Sequence, residues 1–213
     1  MSIDIVQVLR EVSGCLDSQR RLSEWLSGLG GVDSEHATRL PGWTVGHVLT
    51  HIARNADSHR VMLEGQPQYP SIDARNEGIE RGSRRPWDAL VDDVTQSSQQ
   101  LAVVWNEMVD ADHWEGSATL ASGSAMPRTV LPILRWREVE IHRVDLGLGY
   151  ELADLDHHYV RCDLRLLEML WRARRPIGLS PLTDAIRETP PPLRLAWFLG
   201  RHEIDGVAPS GLL

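Results

Sequence analysis

Two pairs of metal-binding residue types occur in distant parts of the sequence, each pair with a spacing of four residues. His47 and His51 form the first pair, and Glu138 and His142 form the second. Residues four apart lie on one face of an α-helix, separated by about 40°, so each pair could present two ligands to one ion. One histidine of the first pair, with Glu138 and His142, would supply two nitrogens and one oxygen. This set suits Zn²⁺ and leaves a position open for water, substrate or a thiol.

Each pair also has a simpler interpretation. A glutamate and a histidine one turn apart often form an intrahelical contact on a protein surface, and His47 could cap a helix or pair with a surface residue. Ligands from different helices are, however, the way in which helical bundles build metal sites in their cores. The metal interpretation therefore depends on whether the two segments are helices of one bundle.

The segment around the first pair carries the signals of a helix start. Thr44 follows a Pro-Gly pair and is a favourable N-cap. Apolar residues then recur at helical spacing, which predicts a helix from residue 45 to about residue 64, ended by Gly65. On a helical wheel His51 flanks the apolar arc, whereas His47 points roughly 160° from the centre of that arc.

Apolar periodicity predicts three further long helices. They cover about residues 3–29, 86–108 and 130–146. Glu138 and His142 lie along one edge of the apolar arc of the last helix, where the seam of a bundle would be polar. Four long helices with modest connections predict a four-helix bundle over residues 1–150, in a mainly α protein.

Shorter elements are predicted between these helices. Ser71 is a candidate cap for a helix that continues to Gly82. The segment 115–127 is rich in glycine, serine and threonine and has no helical period, so it is predicted to be irregular or a short hairpin.

The pattern of predicted secondary structure changes after Tyr150. Asp154 is a candidate cap for a helix that runs to about residue 174, and the sequence RRPIGLSP at 174–181 should interrupt it. A short helix is predicted at 184–188, and a last helix, introduced by the three prolines at 190–192, is predicted to contain residues 193–199. Residues 151–213 are therefore predicted to form a short C-terminal α or α/β appendage to the bundle.

The composition excludes two classes of partner. A formal charge of −8 and the absence of an arginine-rich run argue against nucleic acid. No apolar run approaches the roughly 20 residues needed to span a bilayer, and the N-terminal sequence MSIDIVQVLREV is amphipathic, unlike a secretion signal. We therefore expect a cytoplasmic protein that acts on a small molecule, whereas the oligomeric state is left open.

The cysteines and serines show no pattern of nucleophilic catalysis. Cys15 and Cys162 are far apart, lie in helical patterns and lack C-x2-C spacing, so both are interpreted as small buried hydrophobic residues. No G-x-S-x-G motif is present, which argues against a covalent hydrolase.

Four segments of the sequence resemble the mycothiol-dependent maleylpyruvate isomerase family. They are LPGWTVGHVLTHIARNAD, DARNEGIERGS, REVEIHRVDLG and, near the C-terminus, LAWFLGRHEIDGV. The resemblance implies a DinB-like four-helix bundle with a bound divalent metal, whose ligands fall on His51, Glu138 and His142. His47 matches a helix position that is not a ligand in that family.

The same resemblance implies further site residues. Arg75, followed by Asn76, matches a segment that lines the active site and contributes to cofactor binding, and Arg201 matches a second position facing the site. An arginine near a metal can bind a carboxylate with two hydrogen bonds, and a keto-dicarboxylate substrate offers two carboxylates. Residues 151–213 are fewer than the α/β second domain usual in the family, which leaves the substrate open.

On this resemblance, the expected function is conversion of maleylpyruvate to fumarylpyruvate by a metal- and mycothiol-dependent isomerase. The metal would stabilise the thiolate of mycothiol, which would add reversibly to the double bond and allow rotation. A mycothiol S-transferase acting on another electrophile and a non-catalytic metal-binding helical module remain as alternatives. All 22 basic residues are arginine, which indicates a GC-rich, for example actinobacterial, genome.

Overall fold

The computed structural model describes residues 4–111, 113–174 and 182–212. These residues are mainly helical and divide into two compact units, Met1–Gly149 and Tyr150–Leu213. The α-helices are α1 (Ile5–Gly28), α2 (Val45–Leu63), α3 (Ile72–Ser83), α4 (Trp87–Ala111), α5 (Leu131–Asp145), α6 (His157–Ala173), α7 (Asp184–Glu188) and α8 (Pro191–Phe198). The strands β1 (Ser117–Thr119) and β2 (Ala125–Pro127) form an antiparallel hairpin.

Helices α1, α2, α4 and α5 form a four-helix bundle in the first unit. Helix α2 packs against α4 and α5, and α1 packs against the same two helices. The apolar faces meet in a core that includes the fully buried side chains of Leu26, Leu49, Val94 and Val139. Burial of each such side chain contributes roughly 1.5–3 kcal/mol. The mainly helical bundle expected from the sequence is confirmed.

The start of α2 follows the predicted local signals. Thr44 is the N-cap, with an extended backbone (φ −98°, ψ 171°). Gly65 has φ +84° just after the helix, a left-handed conformation in which a side chain would be strained. The helix that carries His51 is therefore delimited by residues of the predicted types.

Helix α3 lies against the first turn of α2. Its N-cap is Ser71, as predicted, and the Ser71 hydroxyl accepts a hydrogen bond of 3.0 Å from Ala74 N. A Cβ atom on Gly46 would lie 1.7 Å from the carbonyl oxygen of Ser83, so only glycine allows the end of α3 to approach α2 this closely. This contact fixes the helix that carries Arg75.

A buried arginine ties three helices of the bundle to α5. Arg135 is 0% exposed, and its Nε atom donates to Gln19 Oε1 at 2.9 Å. Its Nη1 atom donates to Ile52 O at 2.8 Å and to Asn55 Oδ1 at 2.9 Å, and Nη2 reaches Ser98 Oγ at 3.4 Å. We call these five residues the Arg135 network. Nothing in the sequence pattern indicated it, because its acceptors come from α1, α2 and α4.

The structure confirms one prediction about the shorter elements and shows that another is wrong. The hairpin alternative for 115–127 is confirmed by β1 and β2. Asp154 as the cap of α6 is wrong, because the Asp154 carboxylate accepts from Glu151 N within a single 3-10 turn. Helix α6 begins at His157 and is capped by Asp156, whose Oδ1 atom accepts from His158 N at 2.8 Å.

The second unit is helical wherever the structure describes it. Helix α7 has the predicted bounds, α8 begins within the proline run as predicted and ends at Phe198, one residue before the predicted end, and α6 packs against α8. Within 150–174 and 182–212 there is no strand, so the α form of the appendage applies there. Most of the break predicted at 174–181 lies outside the described residues. No helix of the described ranges has the length and apolarity to cross a bilayer.

Candidate metal centre

His51 lies in the second turn of α2, at the edge of the bundle core. Its neighbours Val48 and Ile52 are fully buried, and the His51 side chain itself is only 7% exposed. Its Nε2 atom lies 2.7 Å from Oε2 of Glu138 on α5. The packing of α2 against α5 therefore joins two residues that are 87 positions apart in the chain.

The second pair completes a group of three converging side chains. Glu138 and His142 are one turn apart on α5, and His142 Nε2 lies 3.2 Å from the same Glu138 Oε2 atom. The rings of His51 and His142 meet edge to face, with their centroids 4.7 Å apart. One possible ligand atom from each residue lies within 4.8 Å of the other two. We call His51, Glu138 and His142 the triad.

His47 has a different role in the structure. Its Nδ1 atom accepts a hydrogen bond of 3.2 Å from Thr44 N and lies 2.8 Å from Thr44 Oγ1. Its Nε2 atom lies 3.0 Å from Glu80 Oε2 on α3. His47 thus helps to cap α2 and links that helix to α3, and the structure does not bring it into the triad.

Asp145 is a site residue that the sequence reasoning missed. It lies on α5 three residues after His142, with its side chain 2% exposed, and its Oδ2 atom accepts from His142 Nδ1 at 2.9 Å. A carboxylate at this position fixes the ring orientation and leaves Nε2 directed at the site, an arrangement typical of metal-bound histidines. The signal available in the sequence was the spacing of three within one predicted helix.

Hydrogen bonding and burial set the charges of the triad. Burial lowers the pKa of His51 to about 4, despite its hydrogen bond to Glu138. Burial also acts to lower the pKa of His142, but hydrogen bonds to Asp145 and Glu138 outweigh it and raise that pKa to about 9. Burial opposes ionisation of Glu138, yet both histidines hold its pKa well below the usual range. At neutral pH the triad therefore contains a neutral His51, a cationic His142 and a carboxylate.

A metal ion could replace the two ring protons that point at Glu138 from His51 and His142. Both Nε2 atoms donate to one oxygen of Glu138, so both ring protons point at the centre of the triad. Loss of the Nε2 protons would direct two nitrogen lone pairs and one carboxylate oxygen at the same point. The donor set of two imidazoles and one carboxylate fits Zn²⁺ or a related divalent ion.

Arg75 lies directly against the triad. Its Nη2 atom is 3.3 Å from His51 Nδ1, and its guanidinium carbon lies 6.0 Å from the ring centroid of Trp43. Trp43 also packs edge to face on His51, at 5.5 Å between centroids. Arg75 Nη1 donates to Asn76 Oδ1 at 3.0 Å, so Asn76 touches Arg75 rather than the triad.

Arg201 lies in the second compact unit. Its Nη1 atom donates to Leu199 O at 2.9 Å, and its backbone N–H donates to Ala196 O at 2.7 Å. These contacts position the residue just after α8. Its proposed role in the site stays a prediction.

Comparisons with known proteins point to a single family. The family model described as the mycothiol maleylpyruvate isomerase N-terminal domain matches residues 15–147, a range that contains the whole triad. A crystal structure of the mycothiol-dependent maleylpyruvate isomerase is similar, with a TM-score of 0.76 and 25% identity over 91% of this chain and 89% of that chain. The crystal structure of a histidine-to-alanine mutant of the mycothiol-dependent maleylpyruvate isomerase gives a TM-score of 0.68 and 28% identity over 78% of this chain and 71% of that chain. No curated protein sequence matches the chain.

Proposed function

The chain belongs to the mycothiol maleylpyruvate isomerase family, whose N-terminal domain model covers more than half of its residues, and we propose that it converts maleylpyruvate to fumarylpyruvate with a divalent metal and mycothiol. The observation that carries this proposal is the convergence of His51, Glu138 and His142 on one point. A divalent metal there would bind the sulfur of mycothiol and keep it as a thiolate near neutral pH, ready for reversible addition to the double bond.

Four residues of the chain would hold the metal in place. His51 and His142 would act as ligands through Nε2, and Glu138 through a carboxylate oxygen. Asp145 would hold the proton on Nδ1 of His142, so that Nε2 keeps its lone pair for the metal. Because His142 carries an extra proton in the metal-free protein, its use as a ligand would release that proton to solvent.

Arg75 is the residue we propose to bind a substrate carboxylate. Nδ1 of His51 can accept from Arg75 only while the ring proton is on Nε2. If Nε2 were a metal ligand, the proton of the neutral ring would be on Nδ1, and Arg75 would have no acceptor there. The planar guanidinium is then available for a two-point contact with a carboxylate, at a position next to the metal. On the sequence resemblance, we propose Arg201 for the same chemistry.

Cys15 is a poor alternative source of the nucleophile. Cys15 is fully buried, and burial raises its pKa far above the usual range, so its sulfur stays protonated. Cys162, on α6, is only partly buried, unlike the buried residue expected from the sequence, and we take the thiol to be external on the family resemblance.

A pair of histidine variants tests the proposal. The purified protein should contain about one divalent metal per chain and should isomerise maleylpyruvate only when mycothiol is present. His51→Ala should lose the metal, and its activity should fall by more than the roughly 100-fold seen when residues behind metal ligands are changed. His47→Ala is the matched control, because it removes an imidazole from the same helix but should keep the metal and most of the activity.

The outcomes separate the possible functions. A native protein without metal, or unchanged turnover in His51→Ala, would contradict the proposed site. Formation of a mycothiol conjugate without isomer would replace the isomerase by an S-transferase. A bound metal with no thiol-dependent reaction on either substrate class would leave a metal-binding helical module.

A further inference from the structure

Arg75 carries its positive charge without a carboxylate partner. Among the residues that the structure describes, its guanidinium contacts Nδ1 of His51 at 3.3 Å and Oδ1 of Asn76 at 3.0 Å, and its central carbon lies over the ring of Trp43. Arg75 also lines a cavity of about 600 Å³, where a small molecule can reach it. A guanidinium held only by neutral groups has no counter-charge, so it attracts an incoming anion more strongly than an ion-paired one does.

Arg54 shows the opposite arrangement in the lining of the same cavity. Its Nη1 atom lies 3.2 Å from Oδ2 of Asp57, and its Nη2 atom contacts the carboxylate of Asp93. Both carboxylates compete with any anion that approaches this side chain. Of these two arginines, only Arg75 is therefore available to an anionic ligand.

The backbone of Trp43 is hydrogen-bonded at both of its polar groups. Its N–H donates to Leu40 O at 3.0 Å, and its carbonyl oxygen accepts from Thr38 Oγ1 at 2.8 Å and from Thr38 N at 3.2 Å. The same loop is joined to the end of α5, because Arg39 N donates to Asp145 O at 2.8 Å. The indole therefore extends from a segment that is tied to α5, the helix that carries two residues of the triad.

The indole ring of Trp43 contacts both the triad and Arg75. It packs edge to face on His51, with 5.5 Å between centroids, and the guanidinium carbon of Arg75 lies 6.0 Å from its centroid. The quadrupole of the ring attracts a guanidinium above its face, and this attraction adds no negative charge to the site. In the proposed metal-loaded protein the ring proton of His51 would be on Nδ1, which could not accept from Arg75. The face of Trp43 and the side chain of Asn76 would then be the contacts that hold the guanidinium.

We propose that Trp43 is a positioning residue, which holds the guanidinium of Arg75 at the edge of the triad and leaves its charge free for a substrate carboxylate. The inference rests on the proposed function, because it takes Arg75 as the residue that binds the acid substrate. It gives the loop before α2 a role in substrate affinity that is separate from metal binding.

Two substitutions of Trp43 change the aromatic face and leave the triad intact. Trp43→Met replaces the face by a flexible apolar side chain that fills part of its volume, whereas Trp43→Phe keeps a smaller aromatic face. Trp87→Met is the matched control. Trp87 is also partly buried against the bundle core, but it starts α4, and no ring or cation contact joins it to Arg75 or His51 among the described residues. All three variants should keep a metal affinity close to that of wild type, because the ligands are unchanged.

Proton NMR of the guanidinium tests the contact without metal or turnover. The ring current of an indole shields protons above its face. The Nε–H resonance of Arg75, identified by its absence in Arg75→Gln, should therefore move downfield in Trp43→Met. It should move less in Trp43→Phe and keep its position in Trp87→Met.

Calorimetric titration of the metal-loaded protein with succinylpyruvate tests the consequence for binding. This compound is maleylpyruvate without the carbon–carbon double bond, so it keeps both carboxylates and cannot undergo the isomerisation. Trp43→Met should weaken its binding by about 3- to 10-fold, as expected for loss of a partly buried cation–π contact, and Trp43→Phe should weaken it less. In the Arg75→Gln background Trp43→Met should have no further effect, because a residue that acts through Arg75 has none once Arg75 is removed. In turnover, Trp43→Met should raise the KM for maleylpyruvate and change kcat little.

Three results would overturn the positioning role. They are an Arg75 Nε–H resonance that does not move in Trp43→Met, an equal loss of succinylpyruvate affinity in the wild-type and Arg75→Gln backgrounds, and a wild-type protein that does not bind succinylpyruvate. If Trp43→Met does not fold, the same comparisons are made with Trp43→Phe. A protein that shows the NMR shift and the dependence on Arg75 but does not isomerise maleylpyruvate would contradict the proposed reaction and leave the positioning role standing.

Discussion

The triad and the Arg135 network both join α2 to α5 through buried charged side chains, but the hydrogen bonds of those side chains are arranged differently. Arg135 is three residues before Glu138 on α5, and its partner Asn55 is four residues after His51 on α2, so about one helical turn separates the two groups. Arg135 is 0% exposed and each of its nitrogen atoms has an acceptor. Glu138 is 29% exposed, and one of its oxygens is shared by two histidines.

The difference shows which kind of buried charge can serve a ligand. A ligand at Arg135 would have to displace hydrogen bonds that already pair each of its nitrogen atoms, and breaking them costs the full desolvation of each group. In the triad, polar atoms converge on each other and are separated only by protons, which a cation can replace. A buried charged residue therefore indicates a ligand site when its polar partners converge on one point, as in the triad. It does not indicate one when each of its own atoms is already paired, as at Arg135.

Arg135→Met gives the largest expected effect on stability. The substitution leaves the buried side-chain acceptors of Gln19 and Asn55 without the Arg135 donor and removes the second donor of Ile52 O, which should destabilise the metal-free protein by about 3 kcal/mol, measured by urea unfolding. The metal affinity of the molecules that remain folded should change little. A folded Arg135→Met protein that no longer binds metal would break the comparison, because it would place the network within the metal site.

Asp145→Asn tests the connection from the triad to its supporting carboxylate. The variant should weaken metal binding by about 10- to 100-fold, because an amide holds the ring with a weaker hydrogen bond than a carboxylate. It should also lower the urea stability of the metal-free protein near neutral pH, because the raised pKa of His142 contributes to that stability. In the metal-free protein the pKa of His142 should fall from about 9, which NMR titration can follow. Asp156→Asn is the control, since asparagine caps helices equally well and α6 carries none of the triad. Unchanged affinity in Asp145→Asn would remove Asp145 from the site.

His59 provides the smallest and most selective test. It lies on α2 two turns after His51, is 2% exposed against Trp105, and has an unpartnered Nδ1 atom within the described chain. Burial lowers the pKa of His59 to about 3. Below about pH 6.5 the unfolded chain therefore binds a proton at His59, whereas the folded chain does not. As a result, His59 lowers the stability of the protein progressively from about pH 6.5 toward pH 3, by up to about 1.4 kcal/mol per pH unit.

Urea unfolding of the metal-free protein at pH 7 and pH 5 measures this contribution. Wild type should lose more stability on acidification than His59→Leu, while His51, whose pKa is also lowered, acts in the same direction in both proteins. His142 has a raised pKa, so its stabilising contribution is present below pH 6.5 and is lost as the pH rises toward 9. Equal losses in wild type and His59→Leu would show that His59 is not buried in its neutral form.

Much of the fold could be predicted because its signals are local. The cap at Thr44, the cap at Ser71 and the glycine after α2 each depend on backbone conformation within a few residues. The cap of α6 was misplaced by two residues, because both Asp154 and Asp156 could serve and the 3-10 turn decided between them. Such choices depend on small differences in local geometry.

The sequence by itself determined that two pairs of residues of metal-binding types lie on one face of their helices, and the helical wheel together with the family resemblance favoured His51 over His47. The tertiary structure decided that His51 meets Glu138 and His142, that Asp145 supports His142, and that a cavity opens at Arg75. Helical periodicity is a property of neighbouring residues, whereas convergence of ligands depends on which faces of α2 and α5 pack together. That choice is made by the whole bundle core, and no short stretch of sequence contains it.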